Sequence, residues 1–214
     1  MNFIPREKAP NKANSNYYSN DNIYYKCNYS MPNCTCYAHG RYHEIFDVWS
    51  PCRGNANKWI DEAKKAKWET SKYPELGSVV VWDCKGGCGH VAIVEEIKNN
   101  GDIVCSNSAW GGSEFYMQTF KFNKNYAWTG SKHKYTLLGF IRPQKVFTET
   151  EKKLTVTGSL YLRKFYSKNS DIVTTMHRDD KFDYSGRFVF RDNVKWLYGK
   201  FDTCKGWASA KYMK

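Results

Sequence analysis

Pro32-Asn33-Cys34-Thr35-Cys36-Tyr37-Ala38-His39-Gly40-Arg41 begins with a proline and an asparagine able to cap a helix. The spacing of Cys34, Tyr37, Ala38, Arg41 and Ile45 predicts that helix. A second helix is expected from Asn55 or Asn57 through Trp59, Ile60 and Ala63 to about Ala66, with Asp61 and Lys65 at an i,i+4 spacing. From Pro74 the pattern changes to short β-branched or aromatic runs. Ser78–Trp82, His90–Ile97, Asp102–Ser108, Phe115–Phe122 and Tyr135–Arg142 read as strands, separated by turns such as Lys85-Gly86-Gly87 and Asn99-Asn100-Gly101. Helices followed by a run of antiparallel strands is an α+β layout. Residues 1 to about 20, rich in Asn, Ser, Lys and Tyr, read as irregular.

The chain has 214 residues and a formal charge of +12, split evenly between residues 154–214 and the remainder. A basic balance favours polyanionic partners: nucleic acid, an anionic membrane or an acidic cell wall. There is no long Lys/Arg run, no zinc-finger spacing and no recognition-helix pattern, so a nucleic-acid partner is not expected. The 8 Trp, 16 Tyr and 12 Phe exceed what core packing usually demands and suggest stacking surfaces for a ligand. Eight cysteines at irregular spacing, in a chain large enough to fold without staples, fit a reducing compartment better than a disulfide framework. Met1 to Asn14 is polar and contains Pro5 and Pro10, so neither a signal peptide nor a membrane anchor is expected there.

Three residues can do chemistry together. Cys34 falls in the first turn of its helix, where unpaired N–H groups and the positive end of the dipole favour a thiolate. Cys36 competes for that role but lies deeper in the helix, on another face, and a buried packing cysteine is the bland alternative for either. His90, in Gly89-His90-Val91-Ala92-Ile93-Val94-Glu95, starts an apolar strand after a glycine-rich turn, where a general base would be held firmly. The alternatives are a surface loop histidine, or a metal site through Cys84, Cys88 and His90, for which no distant fourth ligand stands out. Asn107, in Cys105-Ser106-Asn107-Ser108-Ala109-Trp110, falls on the same strand face as His90 if the hairpin closes with an even-numbered loop around Asn99–Gly101. Its amide oxygen could then fix the imidazole tautomer, although an asparagine ending a strand through local hydrogen bonds fits equally well.

Four ordered motifs carry a resemblance. Asn-Cys-Thr-Cys-Tyr-Ala-x-Gly-Arg, Pro-Glu-Leu-Gly-Ser-Val-Val-Val-Trp, Gly-His-Val-Ala-Ile-Val-Glu and Ser-Asn-Ser-Ala-Trp-Gly-Gly closely resemble CHAP domains (cysteine, histidine-dependent amidohydrolase/peptidase) over roughly residues 25 to 143. The resemblance implies a papain-like fold, with N-terminal helices packed on an antiparallel sheet, Cys34 as nucleophile and His90 as base. Two departures stand out. Cys36 replaces a tryptophan common in the family, and Asn107 stands where many members carry a carboxylate, giving a Cys-His-Asn variant. Relatives that bind calcium do so through an acidic loop before the nucleophile; Ser19-Asn20-Asp21-Asn22 has one carboxylate, so no metal and no cofactor are expected.

Pro143 to Lys153 carries Pro, Thr, Glu and Lys with little apolar periodicity and reads as a linker. Beyond it, Leu154–Leu162, Ile172–Met176, Phe188–Phe190, Lys195–Tyr198 and Gly206–Ala208 are expected strands. Leu160-Tyr161-Leu162-Arg163, Lys195-Trp196 and Gly206-Trp207-Ala208-Ser209 resemble bacterial SH3-like (SH3b) wall-binding domains. That resemblance implies a small all-β barrel with Trp196 and Trp207 in its core and Tyr161, Arg163 and Tyr198 lining a ligand groove, unless all its aromatics are core. The expected organisation is a catalytic domain over 1–146, a linker over 147–153 and a wall-binding domain over 154–214. The combination resembles phage endolysins: monomeric peptidoglycan hydrolases, made in the host cytoplasm without a signal peptide, that act on the wall after release. A bacterial autolysin would be served by the same residues; the other alternative is a non-catalytic wall-binding protein, against which Cys34, His90 and a plausible orienter argue.

Overall fold

The computed structural model describes residues 3–98, 100–128, 134–142, 151–191 and 194–214. The chain divides into two compact units, one of Ile4–Lys98 with Asp102–Lys145, the other of Val146–Lys214 with Met1–Phe3 and Asn99–Gly101.

In the first unit, the stretch expected to be irregular ends in two single-turn helices, α1 (Ser15–Tyr18) and α2 (Ile23–Lys26). Four residues are too few to show a period; what makes the turns is capping, since the Asn14 and Asn22 side chains accept from the N–H groups of Asn16 and Tyr24. Helix α3 (Cys34–Phe46) is capped by the Asn33 side chain, which accepts from Thr35 N–H, and α4 (Trp59–Lys65) follows a short 3-10 turn. The strands are β1 (Thr70–Ser71), β2 (Val79–Cys84), β3 (His90–Ile97), β4 (Ile103–Asn107), β5 (Tyr116–Phe120) and β6 (Tyr135–Ile141). They form one antiparallel sheet in the order β1-β6-β2-β3-β4-β5. One face gathers Val80, Trp82, Ala92, Val94, Ile103, Cys105, Phe120 and Phe140 into a core. The other receives α3, which packs chiefly on β3. Both faces of β2 are therefore covered, which is why Val79 to Trp82 run apolar without alternation.

Two of the quoted motifs meet inside this layer. The Arg41 guanidinium makes a two-pronged pair with Glu95, Nε to Oε1 and Nη2 to Oε2, each at 2.9 Å. Glu95 also accepts from the Ser106 hydroxyl at 2.7 Å and from Arg6 N–H at 2.9 Å. It sits at the register shift between Val94 and Glu96. Gly40, beside Arg41, has no room for a side chain, because a Cβ there would strike the carbonyl oxygen of Asn16 in α1.

The second unit is all β: β7 (Lys152–Thr155), β8 (Leu160–Arg163), β9 (Ile172–Met176), β10 (Lys181–Arg191), β11 (Val194–Phe201) and β12 (Cys204–Ser209), ordered β7-β10-β11-β12-β8-β9. Its core holds Leu154, Val156, Leu160, Leu162, Met176, Phe182, Tyr184, Leu197 and Ala208. Three expectations change. The run Leu154–Leu162 is two strands, because the chain bends between Val156 and Leu160. The strand expected at Phe188–Phe190 extends back to Lys181, where buried Phe182 and Tyr184 alternate with exposed Lys181 and Asp183. Of the expected linker, residues 147–150 lie outside those described, while Lys152 and Lys153 already belong to β7. The expected closed barrel is not completed by the strand pairing: among the described residues, β7 pairs with β10 and β9 with β8, and these end strands do not pair with each other. Among the described residues, no helix is long and apolar enough to cross a membrane.

Candidate active site

Cys34 is the first residue of α3 and is half-buried. Its helix start is tied to the far end of β4, where the buried Ser108 hydroxyl accepts from Asn33 N–H at 3.0 Å. The backbone N–H groups of Val91, the residue after His90, of Thr35 and of Cys34 itself favour the Cys34 thiolate. The nucleophile candidate thus lies against the start of β3.

His90 is put there by a tight entry. Gly89 has φ +75°, and a Cβ on it would strike the carbonyl oxygen of Trp82 and the side chain of Asn57. Asn57 in turn donates its backbone N–H to Cys88 O at 2.9 Å and its amide to Asp83 Oδ1 at 3.0 Å, holding the turn on both sides. The imidazole is 6% exposed and ringed by aromatics: Trp128 meets it edge-on at 4.7 Å, with Trp82 and Tyr135 at 6.0 and 6.4 Å.

Asn107, fully buried, reaches His90 Nε2 through its Oδ1 at 3.1 Å. Register explains the meeting: Ile93 pairs with Ser106, so Asn107 projects on the same face as His90, diagonal to it. The Asn107 Nδ2 group donates to Cys105 O at 2.8 Å and to Tyr116 O at 3.5 Å. With the amide hydrogens so engaged, the atom facing the ring is the acceptor oxygen. Nε2 therefore carries the proton and Nδ1 keeps a free lone pair.

The thiol and the imidazole make no direct hydrogen bond to each other, and burial sets the protonation of both. It pushes the Cys34 thiol up to about 11, against the backbone N–H groups that favour a thiolate. It lowers His90 to about 4, against the hydrogen bond that His90 donates to Asn107. The expectation that the helix start favours a thiolate is overturned here, since lost solvation outweighs the N–H groups. At neutral pH the pair is thiol plus neutral imidazole. A group whose folded-state pKa lies below its usual value is protonated first in the unfolded chain. Stability is then full above about pH 6.5 and falls as pH drops toward 4, by on the order of 3 kcal/mol for His90. Buried His39, lowered to about 3, adds a loss in the same direction. Catalysis needing a neutral imidazole should likewise keep its acid limb well below 6.5. A pH–rate profile with its acid midpoint at or above 6.5 would contradict this picture.

The competing readings separate. Cys36 is fully buried, its thiol aimed at Tyr17 O at 3.7 Å and pushed up by burial to about 12. Among the described residues, no three His, Cys, Asp or Glu side chains converge as metal ligands would, Cys84, Cys88 and His90 included. In the stretch before the nucleophile, Asn22 is buried and its amide donates to Asn16 O and Cys36 O, which makes it a structural tie. Of the residues expected to line a groove in the second unit, Tyr161 and Arg163 border one pocket, whereas Tyr198 is set apart from it, its ring 5.1 Å from that of Trp207. Residue type gave no role to Trp128 and Tyr29, nor to Ser108 and Trp110 within their motif. Tyr29 and Trp110, 55% and 66% exposed with ring centroids 5.9 Å apart, come from the two loops that the Asn33–Ser108 bond joins. Their exposure, which marks them out, cannot be read from residue type.

Residues 24–109 match the CHAP domain. The matched segment contains Cys34, His90 and Asn107. Similar curated proteins include a probable autolysin LDP of Staphylococcus aureus (strain NCTC 8325 / PS 47), 36% identical over 84 residues, which are 39% of this chain and 30% of that protein. An N-acetylmuramoyl-L-alanine amidase sle1 of Staphylococcus haemolyticus (strain JCSC1435) is 32% identical over 101 residues, 47% of this chain and 30% of that protein. The chain thus spans about 30% of the length of these relatives. Among solved structures, an N-acetylmuramoyl-L-alanine amidase from Staphylococcus aureus aligns with 26% identity and a TM-score of 0.41, covering 51% of this chain and 32% of that one.

Proposed function

We propose that this protein is a peptidoglycan hydrolase that cuts an amide bond of the bacterial cell wall with Cys34 as nucleophile. The observation that carries the reading is that Cys34, His90 and Asn107 all fall in the segment that matches the CHAP domain, with Asn107 Oδ1 3.1 Å from His90 Nε2. The named activities of the amidase and autolysin relatives support the substrate class. Cys34 attacks the amide carbonyl while His90 Nδ1 takes the thiol proton, and the Cys34 backbone N–H at the start of α3 helps hold the oxyanion. His90 then gives the proton to the leaving amine. The resulting thioester is resolved by water. Because the resting pair is neutral, proton transfer accompanies attack, as in general-base catalysis.

The bond cut is either the muramoyl–L-alanine amide or one in the peptide, and residues 154–214 serve as an SH3b-like wall anchor, the arrangement of an endolysin or of an autolysin. The anchor would raise the local concentration of the enzyme without changing its chemistry. A turbidity assay on bare walls tests activity and ranks the residues. His90→Ala should cost about 10²–10⁴-fold in rate, the range of a lost general base. Asn107→Ala should cost less, since water can partly replace an orienting acceptor. Equal losses would give Asn107 more than an orienting role, and no clearing by the wild type would make the protein a wall binder.

A further inference from the structure

Among the described residues of the second unit, a pocket of about 710 Å³ is lined by Tyr161, Arg163, Lys168, Trp196, Lys211 and Tyr212, among others. Among the described residues, every formally charged side chain in its wall is positive: Arg163, Lys168 and Lys211. Among the described residues, none of the three is ion-paired. Arg163 donates to the Ser170 carbonyl at 2.7 Å and lies 5.1 Å over the Tyr161 ring, and the Lys211 ammonium lies 5.5 Å from the centre of the Tyr212 ring. Like charges gathered without counter-charges raise the local potential and favour an anion.

The second observation is Trp196. It is 3% exposed, yet it is not part of the apolar core, which its neighbour Leu197 enters from the opposite face of β11. Its face is the one shared with its cross-strand partner Ser209, which also lines the pocket. Among the described residues, the indole N–H has no acceptor. A buried donor left unmatched is costly, and this one belongs to a side chain that lines the pocket.

We propose that this pocket is a binding site for an oxyanion, phosphate or carboxylate, carried on a sugar or polyol. The cations hold the anion, the indole N–H gains an acceptor, and the Tyr161 and Tyr212 rings cover the ligand body. The site lies within residues 159–212 and is tested by binding alone, so its failure would leave the hydrolase reading untouched. The full chain is labelled with ¹⁵N in its tryptophan indoles, and the Trp196 resonance is assigned through Trp196→Phe. Glucose 1-phosphate, N-acetylmuramic acid and neutral glucose are then titrated separately. The Trp196 signal should move with an anionic ligand and not with glucose, and the anion that saturates first identifies the source of the charge. Arg163→Gln and Lys211→Gln should each weaken binding by about tenfold, while the remaining indole signals, unchanged in position, report that the fold is kept. No movement with either anion, or equal movement with glucose, would overturn the proposal.

Discussion

Cys34→Ser should leave the protein folded and reduce wall hydrolysis by at least about 10⁴-fold, as loss of a nucleophile does in enzymes that act through one. The substitution keeps the size of the side chain and the capping by Asn33, so the melting temperature should stay near that of the wild type. What it removes is a sulfur whose proton, even with the thiol pushed up to about 11, is more acidic than that of the hydroxyl that replaces it, and a neutral imidazole of pKa about 4 activates that hydroxyl poorly. Cys36→Ser is the paired control. Cys36 is fully buried, and a serine there can still donate to Tyr17 O, so this variant should retain activity with a small loss of stability. Rates of turbidity loss and thermal melts on both variants check the pair of expectations. An active Cys34→Ser beside an inactive Cys36→Ser would reassign the nucleophile.

The largest effect on stability is expected at Arg41. Arg41→Ala removes the two-pronged partner of Glu95, whose carboxylate is almost wholly buried and retains only Ser106 and Arg6 N–H as donors. Removing one partner of a buried ion pair costs about 3–5 kcal/mol, because the other charge is left uncompensated. The same contact sets distances in the active site. Arg41 lies two turns along α3 from Cys34, and Glu95 lies along β3 from His90, so the pair fastens the nucleophile's helix to the base's strand. Denaturant unfolding should show the loss directly. Activity measured well below the new melting temperature should fall too, with kcat affected more than KM. A cost under about 1 kcal/mol would mean that the pair is replaceable and the fastening lies elsewhere.

The elements that place the site were readable in the sequence because each carries a local device. Asn33 caps α3 and Gly89 admits the turn before His90, whereas Asn107 comes onto the face of the base, diagonal to it, only through the bulge at Glu95, which strand alternation does not show. What residue types could not show was solvation. A cysteine at a helix start reads as a thiolate, yet the thiol is pushed up because the surrounding protein removes the water a thiolate needs. Nor could spacing show that Arg41 and Glu95, 54 positions apart, are partners, since that contact depends on how α3 lies on the sheet. In the second unit the strands are short and the bends soft, so the division of Leu154–Leu162 and the backward reach of β10 were hidden. Trp196 and Trp207 read correctly as buried, but burial alone does not say against what. Both lie on the face away from the apolar core, where the Trp207 ring is tilted against that of Tyr198 and Trp196 borders the pocket.

The central claim is that Cys34 opens an amide bond of peptidoglycan through an acyl-enzyme. It is tested most directly by digesting purified walls and measuring new amino groups and new reducing ends together, with the fragments identified by mass spectrometry. Amino groups should appear with the wild type, no reducing ends should accompany them, and Cys34→Ser should release neither. Release of reducing ends, or amino-group release that survives Cys34→Ser, would contradict the account.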